Sequence, residues 1–119
     1  MRAQIAAAVG VVASLAVVSA QDIYRPGNGV SLPAVVREVH PDYTQEAKAA
    51  RIEGVVVLDT VVLADGAIGD VAVTRSLDNV LGLDQQAVKA MKQWVFKPGT
   101  KDGKAVAVRI AIQMKFALQ

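Results

Sequence analysis

Lys104–Gln119, KAVAVRIAIQMKFALQ, alternates from end to end. Val106, Val108, Ile110, Ile112, Met114, Phe116 and Leu118 share one parity. Ala105, Ala107, Arg109, Ala111, Gln113, Lys115 and Ala117 share the other. Successive side chains of a strand point to opposite faces, so the pattern predicts one long strand with an apolar face and a small or polar one. A helix would scatter both sets around its circumference. The predicted strand, Lys104 to Phe116, has about 13 residues, against the five or six that are usual. That is more backbone than a small sheet needs, and a long edge with unpaired N–H and C=O groups is a place where another chain can pair.

Working outward, the rest of the chain reads as the cover for that apolar face. At 119 residues it is one domain at most. Hydrophobic residues make up 53%, partly because of Ile5–Ala20, IAAAVGVVASLAVVSA. Arg2 precedes this run and Val18-Ser19-Ala20 closes it, which describes a secretory signal peptide over residues 1–20 cut after Ala20. The competing reading is an uncleaved membrane anchor, for which the alanine-rich run falls short of the roughly 20 strongly apolar residues a spanning helix wants. Either reading places the domain outside the cytoplasm, in the periplasm.

Residues 21–84 carry 5 basic and 10 acidic groups, and residues 85–119 carry 7 and 1, so −5 faces +6. Such asymmetry can tilt a partner's approach, but it is too weak for a nucleic-acid surface, which shows a concentrated basic patch. The chain has no cysteine, which removes thiol catalysis, cysteine–zinc sites and disulfides together. It must therefore fold on its core alone, near the lower size limit for doing so.

Residues 21–38 contain Pro26, Gly27, Asn28, Gly29 and Pro33 and read as an extended lead-in, with a short strand at Val35–Val39. His40-Pro41 then punctuates a helix start, capped by Asp42 or Thr44 and running to about Arg51. Glu53–Ala64 is nearly all apolar and β-branched, as a central strand is. Ala64-Asp65-Gly66 is a hairpin signal, and Ile68–Ser76 returns as a second strand with a bulge expected near Gly69 or Asp70. Leu77–Gly82 is a loop. Leu83–Trp94 is the second helix, with Leu83, Ala87, Ala90, Met91 and Trp94 on its covered face and Asp84 at its positive end. Lys101-Asp102-Gly103-Lys104 turns into the final strand. The order is helix, strand, strand, helix, strand, an α+β arrangement over residues 39–119.

Catalysis needs convergent groups, and the sequence supplies none. His40 is the only histidine and has no partner at ligand spacing, so it reads as a surface residue rather than a base or metal ligand. Ser31 and Ser76 sit outside any nucleophile-elbow setting. Asp65 and Asp70 are explained by the turn and the bulge and make a poor calcium site. Trp94 and Phe96 read as core rather than as a binding platform. No enzyme activity, cofactor, metal or small-molecule substrate is expected. What remains is backbone chemistry on the last strand, where an extended peptide can add itself to a sheet edge.

Taken together, the pieces resemble the TonB C-terminal domain family. They are His40-Pro41-Asp42-Tyr43 with Ala47, then Glu53-Gly54-Val55-Val56-Val57, and Asp65-Gly66 followed by Val71. Leu83-Asp84 with Ala87, Trp94-Val95-Phe96-Lys97-Pro98 and Asp102-Gly103-Lys104 leading to Phe116-Ala117-Leu118 complete the set. Thr44 stands where the family often has proline, and it starts a helix equally well. The resemblance runs from about Val39 to Leu118. It implies two helices packed on one face of a three-stranded antiparallel sheet, with the long last strand at the edge. It further implies that Lys104–Phe116 captures the TonB box, a short peptide of outer-membrane transporters, in TonB-dependent transport. Family transducers also engage an inner-membrane motor of ExbB–ExbD type. A lead-in of about 20 residues reaches at most roughly 70 Å, so coupling to such a motor is not expected here. The other reading of the same edge is a homodimerising structural module that carries no peptide.

Overall fold

The computed structural model describes residues 22–118, so Ile5–Ala20 and the signal-peptide reading lie outside the described residues. In chain order the elements are β1 (Ile23–Tyr24), β2 (Ala34–Arg37), α1 (Gln45–Ala49), β3 (Gly54–Val62) and β4 (Ile68–Arg75). α2 (Leu83–Met91), β5 (Val95–Lys97), β6 (Gly99–Lys101) and β7 (Lys104–Phe116) follow. The main sheet runs β1-β7-β3-β4 with β6 also on β7, and β2 pairs with β5 in a separate ribbon.

β3 is the centre. It pairs antiparallel with β7 from Gly54↔Phe116 to Val62↔Val108 and with β4 from Val57↔Arg75 to Val62↔Ile68. The register places Val56 beside Met114 and Leu58 beside Ile112, all on the face that the helices cover. Val56, Leu58, Val62, Val108, Leu83 and Met91 are fully buried there. The predicted bulge is present: Thr60 faces Val71 and Val62 faces Ile68, so Gly69 and Asp70 together oppose one residue of β3. The Thr60 hydroxyl donates to the Asp70 carbonyl at 2.8 Å, which occupies an acceptor that the bulge takes out of the ladder. A second irregularity, at Thr74 between Val73 and Arg75, has no counterpart in the sequence pattern.

Thr44 caps α1 by accepting from the Ala47 amide at 3.1 Å, and its hydroxyl donates to the Leu81 carbonyl at 2.7 Å. The helix stops short of the expected Arg51. Arg51 takes φ 58°, and the amides of Arg51 and Ile52 turn back to the carbonyls of Lys48 and Ala47. That closure satisfies the orphan carbonyls and delivers Ile52 to the core. α2 likewise ends at Met91, before the expected Trp94. Trp94 is still buried, stacked on Phe96 with centroids 5.9 Å apart, so both aromatics are core as expected.

α2 has no side-chain cap at Gly82. Two carboxylates organise the entry instead. Asp78 accepts from the amides of Val80, Leu81 and Leu83 at 3.0, 2.9 and 3.2 Å. Asp84 accepts from the Ser76 hydroxyl and from the amides of Leu77 and Asp78. The Leu81 amide above all, then those of Val80 and Leu83, holds the Asp78 carboxyl below its ordinary range, against the opposing effect of burial. A folded-state value below the unfolded one contributes stability above the unfolded value, near pH 4, and loses it as pH falls through the folded value. Asp78→Asn is therefore expected to lower the unfolding midpoint at neutral pH and to flatten its decline as pH falls below about 4. Denaturant titrations of both chains across that decline check it, and parallel acid limbs would remove Asp78 as the cause.

The three antiparallel strands β4-β3-β7 and the helices on one face agree with the expectation. The sheet is nevertheless larger and mixed, because β1 joins β7 in parallel and β6 joins it antiparallel. β7 is thus a plain edge strand over only part of its length. The additions are two and three residues long, too short to carry a hydrophobic period.

Candidate functional site

The site that sequence reasoning assigned, Lys104–Phe116, is β7 entire. Its backbone divides into three stretches. Lys104, Ala105 and Val106 pair with Lys101, Thr100 and Gly99 of β6 across a two-residue turn at Asp102-Gly103. Both turn residues have positive φ, 53° and 80°, as a tight hairpin with the native strand twist requires. Ala107 and Val108 pair in parallel with Ile23 and Tyr24 of β1. From Val108 to Phe116 one edge belongs to β3. β1 and β3 lie on opposite sides of β7. The β1-side edge of Arg109–Phe116 therefore has no strand partner among the described residues.

Alternate residues of a strand aim both their N–H and their C=O at one edge, so this stretch presents several donor–acceptor pairs to one side. Its two faces differ. Ile110, Ile112, Met114 and Phe116 face the core, the last two almost fully buried. Arg109, Ala111, Gln113 and Lys115 face away from it. Arg109 is held by Asp59 at 3.0 Å, both side chains partly exposed.

A cleft of about 420 Å³ opens beside the carboxyl-terminal half of this edge. Val39, Pro41, Trp94 and Met114 supply apolar wall, and His40, Gln113 and Lys115 supply a polar rim. The Trp94 indole N–H donates to the Val39 carbonyl at 2.8 Å, fixing the Val39–Pro41 segment against the aromatic core. His40 is exposed as expected, with Glu38 3.9 Å away. Its place on the rim is what the sequence did not show, because nothing in the local pattern links residue 40 to residue 114. Among the described residues no group of three histidine, cysteine or acidic side chains is placed to hold a metal, and none of their helices is long and apolar enough to cross a membrane.

The family model described as the Gram-negative bacterial TonB protein C-terminal matches residues 39–118. The chain belongs to the TonB C-terminal family. The family is a non-enzymatic one. Protein TonB of Vibrio cholerae is 38% identical over 94 residues, 76% of this chain and 37% of that protein. Protein tonB2 of Pseudomonas aeruginosa is 36% identical over 78 residues, 66% of this chain and 28% of that protein. The chain thus spans about a third of the length of these TonB relatives. The solution structure of the Pseudomonas aeruginosa TonB CTD superposes with a TM-score of 0.54 at 27% identity, covering 78% of this chain and 92% of that one. The family model begins at Val39, so β1 and β2 lie ahead of it, while all of β7 and the cleft, apart from Glu38, lie within it.

Proposed function

We propose that this chain is a periplasmic TonB-type binding module that captures an extended peptide, the TonB-box-like segment of an outer-membrane transporter, by strand addition to β7. The observation that carries this reading is the unpartnered edge of Arg109–Phe116 beside a cleft. An incoming strand exchanges water for backbone partners there, each hydrogen bond contributing about 0.5–1.5 kcal/mol net. One of its side chains enters the cleft between Val39, Trp94 and Met114, which adds selectivity to a backbone interaction that has little of its own. Family membership supports the choice of partner, because TonB-dependent receptors are the partners the family implies.

An NMR titration of the chain with synthetic TonB-box peptides tests the reading. Saturable shifts are expected along Arg109–Phe116 and at Val39–Pro41 and the Trp94 indole. A chain that is already dimeric, whose amides do not respond to peptide, points instead to a self-associating structural module that uses the same edge.

A further inference from the structure

We propose that β1 is a displaceable strap that occupies one end of the peptide edge and competes with a long bound peptide for it, a regulation that rests on the strand-capture reading above. β1 lies on the same side of β7 as the open stretch and pairs with the two residues immediately before it, Ala107 and Val108. The two ends of the lead-in are held very differently. At the far end, Gly27 and Val30 exchange backbone hydrogen bonds at 3.1 and 3.0 Å, and the Ser31 amide donates to the Thr100 carbonyl at 2.9 Å. The Thr100 amide returns a bond to the Ser31 hydroxyl at 2.9 Å.

The near end has two ladder residues, an exposed Ile23, and a Tyr24 ring 5.4 Å from the Lys101 ammonium. Pro26 has no N–H and cannot continue the ladder, so the strap ends and the edge opens at Arg109. A turn tied down at Val30–Ser31 lets Ile23–Tyr24 swing away without loosening the rest. The strap is fastened at Val30–Ser31 and held to β7 by only two ladder residues at Ile23–Tyr24. The family model starts at Val39, so Ile23–Tyr24 lies ahead of the residues it matches.

The consequence is a dependence on peptide length. A peptide of about six residues fits along the open edge, whereas one of about ten residues, roughly 33 Å of strand, runs over Ala107–Val108. If the strap is closed nine-tenths of the time, the long peptide binds about tenfold more weakly than it would to a free edge.

The test uses the full chain carrying Ile23→Cys and Ala107→Cys, paired residues in a protein that has no other cysteine, and separately the full chain carrying Ile23→Pro. Synthetic TonB-box peptides of the two lengths are titrated by calorimetry. Oxidation of the cysteine pair is expected to weaken the long peptide at least about tenfold and reduction to restore it, while Ile23→Pro tightens it by up to about tenfold and the short peptide is indifferent throughout. Equal long-peptide affinities in the oxidised, reduced and proline forms overturn the strap and leave strand capture standing. Absence of binding by both peptides in every form overturns strand capture and the strap with it.

Discussion

Gly66→Ala is expected to cost the domain about 3–5 kcal/mol of stability, whereas Gly103→Ala costs about 1 kcal/mol. The two glycines have nearly the same backbone, φ +89° and +80°, so a side chain strains both equally. They differ in what surrounds them. A Cβ on Gly103 has nothing within 4 Å, while one on Gly66 lands on the Phe96 carbonyl oxygen. That oxygen is backbone and cannot rotate away. The Gly66 carbonyl also accepts from the Phe96 amide at 3.0 Å, so the β3–β4 turn is docked directly on β5. Pushing the two apart disturbs the Trp94–Phe96 stack and, through it, the wall of the cleft. Denaturant unfolding of both variants measures the difference. Equal losses would show that β5 yields freely, and the docking of the turn would then contribute nothing.

Gly66 also shows what the sequence could reveal and what it could not. Asp65-Gly66 announces a turn from two residues, and the turn is there. That this turn is clamped by a strand some thirty positions later is a tertiary fact with no local signature. The same division holds elsewhere. β7 is legible because its alternation persists long enough to distinguish a strand from a helix, β3 because its apolar run is β-branched, β4 because it returns from the Asp65-Gly66 turn, and the bulge at Gly69–Asp70 because the phase breaks there. Both helices run shorter than their apolar periodicity. Trp94 satisfies the helical spacing yet sits beyond Met91, and Arg51 closes α1 through a positive φ that no side-chain preference announces. Asp84 looks like an ordinary first-turn acid, but it is almost fully buried and holds three donors of the Ser76–Asp78 segment. At the candidate site, the edge strand was readable from its alternation. The cleft beside it was not, since its walls come from Val39–Pro41, from Trp94 three residues past α2 and from β7. β1 escaped for the same reason as β6 did, since short pairings leave no pattern, whereas β2 overlaps the short strand expected at Val35–Val39.

Methylating single backbone nitrogens along a bound TonB-box peptide is expected to give a loss of affinity with a period of two. A methyl on an amide that faces β7 deletes a hydrogen bond and places a carbon between two strands. The deleted bond and the displaced strand together weaken binding by about 10- to 100-fold. A methyl on the neighbouring amide faces water and changes affinity by no more than about threefold, less than 1 kcal/mol. The phase of the pattern follows from strand geometry, because a residue that donates to Arg109–Phe116 is followed by one that cannot. Side-chain substitution reads a different quantity. An alanine scan of the same peptide should show its largest loss at the one residue that enters the cleft of Val39, Trp94 and Met114. The two scans therefore separate the backbone contribution from the pocket contribution on one molecule. A methylation profile without period, with losses only where the alanine scan has them, would mean that the peptide is held by its side chains in the cleft. Strand addition to β7 would then be the wrong description of the complex even if binding is tight.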